Sequence, residues 1–234
     1  MKKGKLLVIL SSLLVVMCSG IVYATGAGVK PSQNHEVIQM NKLIPEVKEQ
    51  DYSKALQSAL QLLRVPEGYQ LKSAQEHKQN QNVVWVFRYE KISGDNNGLG
   101  GEHFSFVVEK NTYKILGVTW MDQRLAAGEL PSKEETKAFA KTFLSKAQPG
   151  LFEKLENLWI DNHDETIVVT KGDKRETVTI SGMKYKCYLP EENNYVWVIV
   201  GPGGQIITFE QGIIWSNGRV TEKWLHDSWV EESI

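Results

Sequence analysis

The chain has 234 residues, with 27 Lys and Arg against 28 Asp and Glu and a net charge of −1, which excludes a basic nucleic-acid footprint. Hydrophobic residues at 41% and charged residues at 24% exclude a disordered chain and a multi-span membrane protein. Two cysteines exclude a disulfide-stapled scaffold and a four-cysteine zinc site.

Residues 1–24 read as an address. Lys2, Lys3 and Lys5 precede an apolar stretch from Leu6 to Met17, and the small-residue end Val22-Tyr23-Ala24 suits cleavage after Ala24. If uncleaved, residues 6–23 are an uncharged run of about the shortest length that spans a bilayer, and they would be the membrane anchor. Met17 before Cys18 is a poor context for lipid attachment. Without residues 1–24 the net charge falls from −1 to −4, and Cys187 is the one cysteine left, read as a small buried hydrophobe. Residues 25–50, rich in Gly, Pro and polar residues, read as a linker.

Folded structure is expected from Tyr52. Ala55, Leu56, Ala59, Leu60, Leu62 and Leu63 recur at helical spacing, predicting a helix over 53–64 capped by Ser53 and ended by Pro66 and Gly68. Strands follow at Tyr69–Ala74, Val83–Tyr89, His103–Glu109 and Tyr113–Trp120, with a Gly-rich loop at 94–101. The pattern then restarts. Ser132 and Glu135 form a capping box for a helix over 133–147, with Ala138, Phe139, Thr142 and Phe143 as its apolar face. Strands are expected at Leu155–Ile160, Thr166–Thr170, Glu176–Ile180, Met183–Leu189, Tyr195–Val200 and Gln205–Glu210, with turns at Lys171–Lys174 and Gly201–Gly204. The last segment has an apolar run Ile213–Trp215, an Asn217-Gly218 turn, and Thr221 as cap of a stripe carrying Trp224, Leu225 and Trp229.

The two helix starts lie about 80 residues apart, a spacing that suits a duplicated small domain. The fold class expected is α+β, as two tandem halves of helix plus antiparallel sheet over 51–125 and 131–234. Short turns join the strands, which excludes a doubly wound parallel sheet.

One family resembles this pattern. The Val65-Pro66-Glu67-Gly68-Tyr69 step, Trp85–Tyr89, and Phe104–Leu116 with its Glu109-Lys110-Asn111-Thr112-Tyr113-Lys114 turn resemble the PepSY-type domain of bacterial exported proteins, especially the YcdB/YcdC-like repeat, although the usual turn glycine is missing. Phe139–Ala147 and Gly203–Ile207 carry a weaker second match, and the resemblance covers roughly residues 51–210. It implies a cystatin-like α+β fold and a non-enzymatic module that binds or inhibits a partner outside the membrane.

The residues themselves name no reaction. Asp161-Asn162-His163-Asp164-Glu165 sets a histidine among carboxylates, the basis for an alternative reading as an extracellular hydrolase using His163. Its polarity reads more simply as a solvated turn between strands. His226-Asp227 suggests an oriented base, but neighbours in sequence do not face each other on a helix. His77 and His103 read as ordinary surface or sheet residues. The Gly98–Gly101 loop joins strand to strand, so it lacks the helix N-terminus of a phosphate cradle. No metal or other cofactor is called for. Seven tryptophans leave room for an exposed aromatic platform. The candidate partner-binding residues are Trp215, Trp229 and His163, with Trp224 expected in the core. The expected partner is an extracytoplasmic protein, a protease or envelope component, with no nucleic acid. A third reading is an envelope-assembly protein held by an uncleaved anchor.

Overall fold

A computed structural model describes residues 49–233. The proposed signal or anchor and nearly all of the linker lie outside the described residues. Helix α1 spans Glu49–Leu60, followed by β1 (Tyr69–Gln79), β2 (Asn82–Lys91), β3 (His103–Glu109) and β4 (Ile115–Met121). Helix α2 spans Lys133–Ala147 and the one-turn α3 Leu151–Lys154; then come β5 (Glu156–Lys171), β6 (Lys174–Leu189), β7 (Asn194–Val200), β8 (Ile206–Ile213) and α4 (Asp227–Ser233).

The fold is α+β and the sheet is antiparallel throughout. Its eight strands form one sheet in the order β1-β2-β3-β4-β8-β7-β6-β5, rather than a sheet for each half. The reason is β4. Instead of being an edge, it pairs with β8 through Gly117↔Glu210, Val118↔Phe209 and Thr119↔Thr208. All described elements belong to one compact unit.

Strand periodicity sorts side chains to two faces. On the first, register aligns Phe87, Phe106, Val118, Phe209, Val198, Tyr185 and Ile160 in a row across seven strands. Helices α1 and α2 cover this row, burying Ala55, Ala59, Ala140 and Leu144 against it. Tyr52 of α1 meets Trp85 and Phe87 edge-on at 5.9 and 5.8 Å. The expected capping box of α2 is present, with Ser132 Oγ accepting from the Glu135 N–H and the Glu135 carboxylate accepting from the Ser132 N–H. Two helix details differ from expectation. Helix α1 starts by Glu49, so Ser53 is interior. Helix α2 buries Thr136, Ala140 and Leu144, while Ala138 and Thr142 are exposed and Phe139 lies over the Gly204 turn.

The second face is covered differently. The far half of the β5–β6 hairpin forms an arm that curls over it, packing Ile167, Val169 and Ile180 with Met121, Leu125, Ile199 and Ile207. The arm reaches the β2–β3 loop, where the Val168 N–H donates to Gly100 O at 2.8 Å and the Thr170 N–H to Asn96 Oδ1 at 2.6 Å. The C-terminal segment closes the rest, with Leu225 buried on Val84 and Val107. Trp224, expected in the core, is half-buried: it stacks on His77 at 3.9 Å and donates from Nε1 to Lys78 O. Leu225 takes the buried place because Gly117 leaves a hollow for it. Thr221 caps no helix; its hydroxyl bonds Asn80 Oδ1 and accepts from the Ile214 N–H, pinning the segment to the β1–β2 turn.

A Cβ on Gly117 would lie 2.7 Å from Leu225 Cδ1 and 3.0 Å from the Phe209 carbonyl oxygen. Gly117→Ala is therefore expected to destabilise the fold by about 1–3 kcal/mol, the usual cost of overpacking. Thermal melting checks this, and a melting curve unchanged from wild type would contradict the close approach. With Leu225→Ala added, the loss should be smaller than the sum of the two single losses.

Candidate functional site

Polar groups that the sequence scatters meet on the second face. Register places Arg88, Ser105, Thr119, Thr208, Ile199, Lys184 and Asp161 in one row across the sheet. The adjoining row carries Gly117, Glu210, Trp197, Lys186 and Trp159. Between this face, the arm and the start of α4 lies a cavity of about 280 Å³. His103, Thr119, Thr208, Glu165, His226 and Asp227 are among its lining residues.

These groups are largely satisfied by one another. Asp227 bonds Arg88 Nη1 at 2.7 Å and accepts from the Gly100 N–H at 2.8 Å, while Arg88 also holds Glu90 at 2.8 Å. Glu210, buried at mid-sheet, takes Arg219 Nη2 at 2.6 Å and His226 Nε2 at 3.2 Å. The hydroxyls of Thr119 and Thr208 bond each other at 2.9 Å across the β4–β8 junction. Burial works to raise the Glu210 carboxyl, but the bonds from His226 and Arg219 outweigh it and hold it well below the usual carboxylate range. Asp227 follows the same logic: burial opposes its charge, and His103 and Arg88 beside it prevail.

His103 is fully buried, and that burial lowers its pKa to about 4 against the pull of Asp227. Its Nδ1 bonds Ser105 Oγ at 2.7 Å, and its Nε2 lies 3.6 Å from Asp227 Oδ2. Serine, histidine and aspartate thus occur in sequence of contact, but Ser105 is only 3% exposed and the imidazole is a weak base. A nucleophile must reach its substrate, so this chain of contacts serves the interior.

The sequence-derived candidates fall in separate places. The run 161–165 is not a turn: β5 continues through it, and His163 and Glu165 share a face with Ile167 and Val169. Its polarity misled because one side faces solvent and the other faces a polar cavity. His163 Nε2 bonds Glu165 Oε1 at 2.9 Å and, among the described residues, has no other bonded side chain. Trp229 is half-buried and meets Trp224 edge-on at 4.8 Å. Trp215 is 50% exposed and leans on Tyr195. His226 and Asp227 do act, but on different partners from different strands. The sequence reading missed Arg88, His103 and Glu210. The available signal was their period-2 place opposite Phe87, Phe104 and Phe209, which sets a charge on the reverse of an aromatic row.

No three His, Cys, Asp or Glu side chains are grouped to hold a metal among the described residues. Also among the described residues, no helix is long and apolar enough to cross a membrane.

Because the native pKa of His103 lies near 4, below the ordinary 6.5, the unfolded chain takes up a proton that the native chain refuses between those values. Stability is therefore present above pH 6.5 and lost as pH falls toward 4, by on the order of 3 kcal/mol. His77, lowered by burial, acts in the same direction. Urea unfolding at pH 7.5 and pH 5 should show about two thirds of this loss, and His103→Asn should flatten it. A variant as pH-sensitive as wild type would remove His103 as the cause.

Comparison with known proteins gives one family. The family described as YcdB, YcdC repeated domain matches residues 52–212. No curated protein matches the chain. Among solved structures, the Bacillus megaterium YpeB C-terminal domain is similar at 9% identity and a TM-score of 0.34, covering 68% of this chain and 96% of that one.

Proposed function

We propose that this chain, which belongs to the YcdB, YcdC repeated-domain family, is an exported, non-enzymatic module that binds and restrains an extracytoplasmic protein, such as a protease or envelope component. Two tandem PepSY-like halves make it up, each a helix followed by a four-strand meander, joined where β4 meets β8. One observation carries the non-enzymatic reading. Arg88, Asp227, Glu210, Arg219 and Glu165 each hold another side chain of the cluster, and the serine that meets His103 is buried. Catalysis calls for a reachable nucleophile or base with unmet bonding capacity; a mutually bonded cluster gives rigidity instead. Large exposed side chains, Trp159 and Trp215 among them, supply contact area of the kind that interfaces use.

The export reading rests on the lysines before an apolar stretch and on Val22-Tyr23-Ala24. Expressed from its full gene with a C-terminal tag, the protein should be digested by protease added to intact wall-stripped cells, and its mature N-terminus should be Thr25. Protection from protease would overturn export, and an intact N-terminus in the membrane fraction would replace the cleaved form with an anchored one. Cross-linking on the same cells should trap a defined protein partner. A hydrolytic activity of the purified protein that His163→Ala abolishes would overturn the non-enzymatic reading in favour of a hydrolase.

A further inference from the structure

We propose that the aromatic surface around Lys186 is where the partner docks, and that it takes an acidic side chain carried between apolar residues on a peptide segment of that partner. This rests on the reading of the chain as a binding module. Three strands and the segment after β8 build the surface. Trp159 on β5 stands opposite Lys186 on β6 in register; Tyr195 comes from β7 and Trp215 from just beyond β8. The Lys186 ammonium sits over all three rings, 5.5 Å from the centroid of Trp159, 5.3 Å from Tyr195 and 5.0 Å from Trp215. Trp159 is 42% exposed and Trp215 is 50% exposed.

The charge pattern selects the occupant. Lys186 is half-buried and forms no ion pair among the described residues, whereas Arg219 and Arg88 on the same face are paired. The neighbouring lysine, Lys184, lies 4.4 Å from the Trp197 ring and feels the charges of Glu210 and Glu165. Asp161 and Glu156, the acids nearest in register, stand opposite Lys184 and Tyr188, and Lys186 bonds neither of them. Aromatic rings attract an ammonium but supply no counter-charge. A carboxylate arriving beside Lys186 makes a charge-assisted bond in a place the rings partly shield from water, where such a bond is stronger than in open solvent. A sugar platform presents ring faces with no charge set among them, whereas here the Lys186 ammonium lies among three rings. The exposed parts of Trp159 and Trp215 suit the apolar residues that flank an acid. Trp and Tyr are also the residue types that most often carry binding energy at interfaces.

The test uses the full chain as produced by cells and three probes: a fluorescein-labelled decapeptide alternating Glu with Leu and Phe, the same peptide with Gln for Glu, and chitohexaose. The Glu peptide should bind at least about tenfold more tightly than the Gln peptide and weaken with added salt. Lys186→Met should remove that preference, and Lys186→Arg should keep it. Trp215→Ala should weaken binding about tenfold or more while leaving the melting temperature within about 2 °C of wild type. Lys154→Met, on a lysine that pairs with Glu191 elsewhere, should change nothing. Equal binding of the Glu and Gln peptides, full binding by Lys186→Met, or binding of chitohexaose alone would overturn the proposal. Cross-linking on cells separates this site from the module reading. If wild type and Lys186→Met trap the same partner equally, the module stands and this surface falls. If wild type traps nothing while the Glu peptide still binds through Lys186, the surface stands and the module reading falls.

Discussion

Three residue pairs hold this molecule together across its middle. Gly117↔Glu210, Val118↔Phe209 and Thr119↔Thr208 are the registered pairs of β4 with β8, and they join two four-strand meanders into one sheet. On the helix side, Val118 and Phe209 carry the apolar row from one meander to the next, and Phe143 of α2 meets Phe209 at 5.1 Å. On the arm side, the Thr119–Thr208 bond and the buried Glu210 sit at the same junction. Sheet pairing stabilises through such cross-strand contacts, so a lost junction would expose aromatic core on one side and unpaired charge on the other.

The arm side shows why that charge is tolerated. A buried carboxylate is costly unless it is hydrogen-bonded and paired, and Glu210 gains its partners, Arg219 and His226, from the C-terminal segment. Asp227, next in sequence, ties that segment to Arg88 and to the Gly100 N–H. Gly100 in turn receives the Val168 N–H of the arm. Sheet, arm and C-terminal segment are therefore linked through one loop and two carboxylates. Removing one partner leaves a buried charge unmatched, which costs more than the pair contributes.

Local features were legible in the sequence, and non-local ones were not. Helix α2 spans the residues that its capping box and length announced, and the Lys171–Lys174 turn was visible in its Gly-Asp step. Its buried face was misjudged, because Phe139 finds its contact on the Gly204 turn, a partner about 65 positions on. Strand β5 was broken at 161–165 by its polarity, although Trp159, His163, Ile167 and Val169 keep strand alternation through it. Nothing in β4 or β8 marks them as partners, since both read as final strands of their own meanders. The candidate site was hidden for the same reason. Arg88, His103, Glu210 and Asp227 come from β2, β3, β8 and α4, and only the joined sheet with the C-terminal segment folded over it brings them together.

The sheet's two free edges bear on the binding proposed for this chain. Strands β1 and β5 are the outermost, and an open edge is a template for strand addition by another chain. Both edges are guarded. Strand β1 shifts register between Leu71 and Ser73, carries Lys72, Glu76 and Lys78, and has its end covered by Trp224 through the bond to Lys78 O. Strand β5 shifts register between Asn157 and Trp159, and its far half is engaged by the Asn96–Gly100 loop. Bulges and charges of this kind are how sheets resist edge-to-edge pairing. The first face is covered by helices and most of the second by the arm and the C-terminal segment. One corner of the second face stays uncovered, and there Trp159, Lys186 and Trp215 gather. The same β5 shift that disfavours an added strand lies immediately before Trp159, at the margin of that corner.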